Sequence, residues 1–338
     1  MRMGTTTLIP CNIAPHGARG IVILDETGRE VGHCGLGSLA LPELGVRLYR
    51  AGWVSDTHTT LSTVNAQDSQ DDLARAIRYF SKIGAELVCV CGDLCHYNDD
   101  GGLEKHLEIV SANKGSMKIL EIAGNHEHFS KQGVEARMDS DTFQALTGRP
   151  LCYVEEHKGD VYVMCGACSW GSVFDSTSFS WLESTLAAYA GRRVFLFVHS
   201  YLEGSSYCGD AKNIAASGMI ENSYKSGFEA LLRAHPNVFY VHGHSHVMLQ
   251  MQNYLQSQTP PLPANYDNAL GCHSVHLPSL SYPRDISAET KTNEYGESQG
   301  YLVDVYANHV VLTGLDFAHG SDGKPAVIPV ACYCLETV

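Results

Sequence analysis

Five apolar runs of this chain end abruptly in side chains of the types that can bind metal ions, and this feature most limits the folds that the chain can adopt. The runs end in "SDTH", "CGDL", "GNHE", "VHS" and "GHSH". In α/β folds, ligands bind just outside the carboxyl ends of the strands, at one edge of the sheet. We therefore expect these side chains to lie together: Asp56, His58, Asp93, Asn125, His126, His199, His244 and His246.

Predicted strands alternate with predicted helices through most of the chain, which indicates an α/β fold. Apolar residues at helical spacing predict helices over residues 68–83, 102–113, 178–191 and 227–236. Gly84 follows the first of these helices as a stop signal. The final third is richer in strands, and residues 299–317 predict a β-hairpin.

The first 44 residues differ from this alternating pattern. The segment "GIVILDETGREVGHCG" predicts a hairpin that turns at Thr27 and Gly28. We predict that residues 1–44 are an N-terminal extension, a β-hairpin packed on the main domain. Residues 45–338 are then a single domain with a strand-rich C-terminal part.

The candidate ligands are all oxygen and nitrogen donors, with no thiolate among them. Seven of the eight side chains named above, all except His126, form this donor set. Seven donors exceed what one tetrahedral zinc site uses, so they indicate two cations that share a bridging carboxylate. Asp93 is the natural bridge, because Gly92 allows the main chain to turn tightly beside it. The donor set suits two divalent or mixed-valence transition-metal ions (Mn, Fe or Zn) better than Ca. Two ions about 3.5–4 Å apart promote in-line displacement at phosphorus.

Composition limits the partners and the compartment. The formal net charge of -14 argues against a nucleic-acid partner, because phosphate neutralisation needs Lys and Arg. A small phosphorylated substrate is compatible with this charge, since a local metal site reverses the local field. The N-terminus lacks a signal-peptide core, and no stretch reaches the length of a membrane span. We therefore expect a cytoplasmic protein with reduced cysteines and no membrane partner; the oligomeric state stays open.

The five motifs, taken in order along residues 52–246, resemble those of the calcineurin-like metallophosphoesterase superfamily. The resemblance implies a four-layer α/β fold in which two packed mixed β-sheets are flanked by helices. It places Asp56, His58, Asp93 and His246 on one metal ion. It places Asp93, Asn125, His199 and His244 on the other.

The resemblance also implies how the site works. His126 matches the family's catalytic histidine, which binds no metal and either stabilises developing charge or protonates the leaving oxygen. Asp93 would share in catalysis as the bridging ligand of the two ions. A hydroxide that bridges the ions would then attack phosphorus in line.

Two positions depart from the family pattern. His96 replaces an Asp that helps to orient the catalytic histidine. It is either a supporting residue whose ring accepts a hydrogen bond from His126, or an ordinary loop residue. Glu127 follows His126 where many members carry Asp. Arg284 is either a phosphate clamp or a surface salt-bridge residue, with the second interpretation slightly favoured. His128 lies outside the pattern and is expected at the surface.

The sequence thus predicts a metal-dependent phosphoric ester hydrolase, a phosphatase or phosphodiesterase. Its substrate would be a small soluble phosphomonoester, phosphodiester or nucleotide. The alternative is a non-catalytic, metal-binding interaction scaffold of the same fold. The complete ligand set, together with His126, favours the enzyme.

Overall fold

The structure is a computed structural model, and it describes residues 20–24, 30–35, 44–202, 220–249, 266–267, 271–285, 292–293 and 296–337. The turn predicted at Thr27 and Gly28 lies outside these residues. None of the helices within the described ranges has the length and hydropathy needed to cross a membrane.

The first half of the chain alternates strands with helices. Its elements are β1 (Gly20–Leu24), β2 (Glu30–Gly35), β3 (Tyr49–Val54), α1 (Ala66–Lys82), β4 (Leu87–Cys91), α2 (Gly102–Asn113), β5 (Lys118–Ile122), a 3₁₀ turn (His126–His128), α3 (Ser140–Thr147), β6 (Cys152–His157) and β7 (Asp160–Cys165). The strands β1 and β2 pair antiparallel with each other. The division of the chain at residue 44 stays a prediction.

The second half continues the alternation and then becomes rich in strands. Its elements are α4 (Ser176–Ala188), β8 (Val194–Val198), α5 (Asn222–Ala234), β9 (Val238–His242), β10 (Tyr266–Asp267), β11 (His273–His276), β12 (Arg284–Asp285), β13 (Thr292–Asn293), β14 (Gln299–Val305), β15 (His309–Ser321) and β16 (Lys324–Glu336).

Two six-stranded mixed sheets form the centre of the molecule. One has the order β16-β15-β14-β3-β4-β5, and the other has the order β10-β11-β9-β8-β7-β6. The runs β3-β4-β5 and β7-β8-β9 are parallel, with helices in their crossovers. Parallel strands are buried on both faces, which is why β4 and β8 read as continuous apolar runs.

The sheets pack face to face, and helices cover their outer faces. Between the sheets, the ring of Trp53 contacts those of Phe195 and Phe197, with centroids 5.2 and 5.4 Å apart. On one outer face, α1 and α2 pack on β4. On the other, α4 and α5 pack on β7 and β8. This confirms the predicted four-layer α/β fold.

The elements that were not predicted are the polar or proline-containing ones. The predicted helices and the hairpin of β14 and β15 are confirmed. In contrast, α3, β6, β16 and the two-residue strands β10, β12 and β13 were not predicted, and β10 lies in a segment that was expected to be a loop. β16 contains Pro325, and prolines are tolerated there because β16 is the edge strand of its sheet.

Candidate metal centre

The five motifs meet where the carboxyl ends of strands from both sheets converge. β3, β4 and β5 belong to one sheet, whereas β8 and β9 belong to the other. Within the first sheet, the main-chain N–H of Asp56 donates to Gly92 O at 3.1 Å. Between the sheets, the N–H of His244 donates to Asp56 Oδ2 at 3.0 Å. The parallel topology therefore brings together side chains that are up to 190 positions apart in sequence (Asp56 and His246).

Five candidate ligands have left-handed main-chain conformations that side-chain-bearing residues rarely adopt. Their φ angles are 54° for Asp56, 44° for His58, 49° for Asp93, 66° for His244 and 63° for His246. The only other non-glycine residues with positive φ in the described part of the chain are Lys158 and Asp322. Each such residue costs on the order of 1–3 kcal/mol and persists where the surrounding structure enforces it, typically at functional sites. The strain is thus concentrated on the predicted ligands.

The ligand atoms fall into two groups that share one carboxylate. The members of the first group are Asp56, His58, Asp93 and His246, and those of the second are Asp93, His199 and His244. Within each group, the ligand atoms lie within 4.8 Å of one another. The structure therefore contains a candidate metal site at which Asp93 is common to both groups. The resemblance implied the same two groups with Asn125 added to the second, and the assignment of these residues to two ions stays a prediction.

Three oxygens of the site are buried without a hydrogen-bond partner: Asp56 Oδ1, Asp93 Oδ2 and Asn125 Oδ1. Asp56 Oδ1 lies 2.9 Å from His246 Nε2, and Asp93 Oδ2 lies 3.2 Å from His199 Nε2. These imidazole nitrogens lie at ion-pair distance from the two oxygens, but neither oxygen has a hydrogen-bond partner. Burying oxygens that lack hydrogen bonds is costly, whereas a cation at this position would satisfy oxygens and nitrogens together. The residues present fit bound metal ions.

Electrostatics keep the two carboxylates charged. Burial opposes their ionisation, but neighbouring imidazoles outweigh it and hold the pKa values of Asp56 and Asp93 below their usual range. The imidazoles are those of His246 and His199 for Asp56, and of His199 and His126 for Asp93. Burial lowers the pKa of His199, but Asp93 and Asp56 together raise it to about 10. The two carboxylates therefore attract positive charge, which a cation would supply in place of a proton.

Main-chain carbonyls fix the orientation of two ligand imidazoles. His199 Nδ1 donates to Cys91 O at 2.6 Å, and His246 Nδ1 lies 3.3 Å from Tyr282 O. In both rings this leaves Nε2 directed at a carboxylate. Such contacts are the usual way in which proteins set the tautomer of a metal-binding histidine. They fix the orientation of the His199 and His246 rings beside the two carboxylates.

His126 is held by two hydrogen bonds, and one of them corrects a prediction. Its main-chain N–H donates to Asp93 Oδ1 at 2.9 Å, and its Nδ1 donates to His96 O at 2.8 Å. The partner of His126 Nδ1 is thus the main chain of His96, which contradicts the interpretation in which the His96 ring accepts this bond. That ring instead places Nδ1 3.3 Å from His58 Nδ1. The main-chain carbonyl at position 96 is present whatever the side chain there. This explains how the ring of His126 keeps its orientation although His96 replaces the Asp of the family pattern.

Glu127 ties together the loops that follow β4 and β5. The carboxylate is fully buried and accepts from the main-chain N–H groups of Cys95 (2.9 Å) and Gly124 (2.6 Å). Burial and the nearby Asp93 raise its pKa. Glu127 therefore acts on the loops that carry Asp93 and Asn125.

Arg284 lies beside the loop that carries His244 and His246. Its main-chain N–H donates to His246 O at 2.7 Å, and its Nη1 lies 3.4 Å from Ser245 O. Arg284 as a whole residue is half-buried. Its role as a phosphate clamp stays a proposal.

Sequence reasoning missed a buried polar chain behind the first motif. His106 places Nδ1 3.1 Å from Thr57 Oγ1 and Nε2 2.8 Å from Glu121 Oε1. Thr57 lies between the candidate ligands Asp56 and His58, so the chain supports that turn. The available signal was a histidine within the apolar face of α2, beside Leu103 and Ile109.

The surface assignment of His128 is wrong. The side chain is fully buried, with Nε2 2.9 Å from Ala167 O, and Nδ1 accepts from the N–H of Met138 at 3.0 Å. It fixes the loop that follows the 3₁₀ turn.

The four-layer fold and the paired ligand groups define a metal-binding phosphoesterase architecture. The chain belongs to the calcineurin-like phosphoesterase family, whose model matches residues 49–248. That dimetal family implies two metal ions. No curated protein sequence matches the chain significantly.

Solved structures share the fold at low sequence identity. A dimetal phosphatase from Danio rerio superposes with a TM-score of 0.57 at 12% identity, covering 87% of this chain and 100% of that one. A purple acid phosphatase from yellow lupin (Lupinus luteus) seeds gives a TM-score of 0.57 at 13% identity. This match covers 94% of this chain and 59% of the lupin enzyme. At these identities the likeness concerns the fold.

Proposed function

We propose that this chain is a dinuclear metal-dependent phosphoesterase. One ion would be held by Asp56, His58, Asp93 and His246, and the other by Asp93, Asn125, His199 and His244. The observation that carries the proposal is the set of three buried oxygens without hydrogen-bond partners, on Asp56, Asp93 and Asn125, among imidazole nitrogens. Family membership supports the same conclusion.

The ions would be Mn, Fe or Zn, in keeping with the mixed oxygen and nitrogen ligands. When bound, they supply positive charge for a phosphate and lower the pKa of a bound water towards about 7. Asp56 and Asp93 provide two negative charges, so two divalent ions leave the site net positive within an acidic protein. A small phosphorylated substrate in the cytoplasm fits this charge pattern better than nucleic acid.

His126 would act on the leaving group. Its Nδ1 is engaged by His96 O, and its main chain is held by Asp93, so Nε2 is the nitrogen left for chemistry. A histidine held in this way can donate a proton to the oxygen that departs from phosphorus. Glu127 and the main chain of His96 would position it, while Arg284 would lie near the bound phosphate.

The test is to load the protein with manganese, measure metal content, and assay phosphomonoesters, phosphodiesters and nucleotides. We expect two ions per chain and hydrolysis in at least one class. The Asp93→Asn variant should lose both metal and activity, because Asp93 is common to the two ligand groups. A wild-type protein that binds two ions but hydrolyses no ester would support the scaffold alternative. Failure to bind any ion would refute both.

A further inference from the structure

Aromatic side chains extend outward from His126. The ring of Trp170 lies 5.2 Å from the His126 ring at an interplanar angle of 70°. Trp170 stacks on Phe129, with ring centroids 4.1 Å apart and planes 22° apart. Tyr97 lies 6.1 Å from Phe129 at 32°. We call Tyr97, Phe129 and Trp170 the aromatic wall.

Three loops hold the wall in place. The N–H groups of Cys168 and Ser169 both donate to Ser172 O at 3.0 Å, closing a tight turn around Trp170. The N–H of Ala167 donates to Ala123 O at 2.9 Å, which anchors this loop at the end of β5. The N–H of Asn98 donates to Phe129 O at 2.9 Å. The rings are therefore preorganised by main-chain bonds.

The wall is placed for binding rather than for core packing. Tyr97, Phe129 and Trp170 are all half-buried, whereas the ligands beside them, such as His58 and Asp93, are buried. In the part of the chain that the structure describes, none of the three rings belongs to the hydrophobic clusters between sheets and helices. Partly exposed aromatic rings next to a reacting group are a common way to bind the apolar part of a ligand.

We propose that the aromatic wall binds a planar ring in the leaving group, so that the substrates are phosphate esters whose esterified group carries an aromatic ring. This rests on the proposed function, because it takes His126 to face the leaving oxygen. The group attached to that oxygen must then pass beside His126, where Trp170 lies. A flat ring extends the existing stack of Trp170 and Phe129. A quaternary ammonium group would instead need rings arranged around it, not stacked on one another.

Matched substrates isolate the ring from other effects. Benzyl phosphate and cyclohexylmethyl phosphate share the phosphate, the one-carbon link and similar leaving-group acidity, and differ in aromaticity. We expect manganese-loaded protein to prefer benzyl phosphate by roughly 3- to 10-fold in kcat/KM, mainly through KM, as aromatic pairing predicts. A comparison of adenosine 5′-monophosphate with ribose 5-phosphate shows whether a nucleobase, one sugar further from phosphorus, uses the same wall.

Substitutions of Trp170 test whether this side chain causes the preference for benzyl phosphate. Trp170→Leu should bring the benzyl-to-cyclohexylmethyl ratio close to one, while Trp170→Phe should keep most of it. Trp181→Leu is the matched control, because Trp181 lies on α4 and packs against the hydrophobic cluster that α4 and α5 form with β7 and β8. The Trp181→Leu variant should leave the benzyl-to-cyclohexylmethyl ratio unchanged. Thermal unfolding of each variant separates a loss of binding from a loss of folding.

Binding without turnover separates the two proposals. Calorimetric titration of the manganese-loaded protein with benzylphosphonate and cyclohexylmethylphosphonate should show the same preference and the same dependence on Trp170. Hydrolysis without any preference for the aromatic substrate would overturn the proposed role of the aromatic wall but would still support the proposed phosphoesterase function. An aromatic binding preference without hydrolysis would support the wall and overturn the phosphoesterase. A preference for phosphocholine over benzyl phosphate would overturn the aromatic assignment.

Discussion

Replacing Gly124 by alanine should damage the metal centre more than the fold. Gly124 opens the motif that carries Asn125 and His126. A Cβ at this position would lie 2.2 Å from Asp93 Oδ1 and 2.4 Å from Asp93 N. Carbon contacts are comfortable near 3.5 Å, so the gap must open by roughly 1 Å. Because one of the contacting atoms is a main-chain nitrogen, rotating the Asp93 side chain cannot relieve the clash.

The displaced residue is the one that the two ligand groups share. A misplacement of about 1 Å near a reaction centre lowers turnover on the order of 10²-fold. Overpacking of this kind also costs about 1–3 kcal/mol of stability. We therefore expect Gly124→Ala to fold, to bind fewer than two ions per chain by elemental analysis, and to lose roughly 10²-fold in kcat/KM on the best ester.

Gly191→Ala is the matched control for this substitution. A Cβ at Gly191 would meet no heavy atom within 4 Å, and the φ angle of this residue is not in the left-handed region. Its alanine variant should keep metal content, turnover and thermal midpoint. If Gly124→Ala binds two ions and turns over like wild type, the close packing of the site on Gly124 is not functionally important and the reasoning fails.

Three further outcomes follow from the same contacts. His126→Ala should keep both ions and slow turnover by roughly 10²–10⁴-fold, as expected for a lost general acid; loss of metal in this variant would contradict the assigned role. His96→Ala keeps the carbonyl that receives His126 Nδ1, so its turnover should fall less than that of His126→Ala, and equal losses would count against main-chain orientation. Chelation should lower the thermal midpoint and manganese should restore it, because Asp56 and Asp93 lose their counter-charge; saturation at 100 times Kd is worth about 2.7 kcal/mol per site. A thermal midpoint that does not change when chelator is added would argue against a metal site.

The motifs at the strand ends could be predicted because each one stands where a run of apolar residues changes abruptly to polar residues. Buried parallel strands such as β4 read as apolar runs, and a polar residue directly after such a run has few structural reasons to be there. The helix α2 begins and ends where its apolar spacing indicates. Local pattern and topology agree in these elements.

Other elements carry weaker or misleading local signals. β6 reads "CYVEEH" and pairs antiparallel at a sheet edge, so polar side chains interrupt its apolar pattern. α3 has eight residues, and its start depends on Asp139 accepting from the N–H of Thr142. A helix of this length has too few turns for its spacing to stand out.

Details of the site depend on contacts that spacing does not encode. The sequence shows that position 96 lies near His126 in the family pattern, but not whether its ring or its carbonyl makes the bond. It also does not show that Glu127 turns towards the N–H groups of Cys95 and Gly124. Trp170 reaches His126 from a loop more than 40 positions away, and only the folded chain brings the two rings together.

The most direct test of the account is an anomalous-scattering map from crystals of the manganese-loaded protein. We predict two peaks, both within ligand distance of Asp93. One should be flanked by Asp56, His58 and His246, and the other by Asn125, His199 and His244. A single peak under metal-replete conditions, or two peaks that do not share Asp93, would contradict the dinuclear centre.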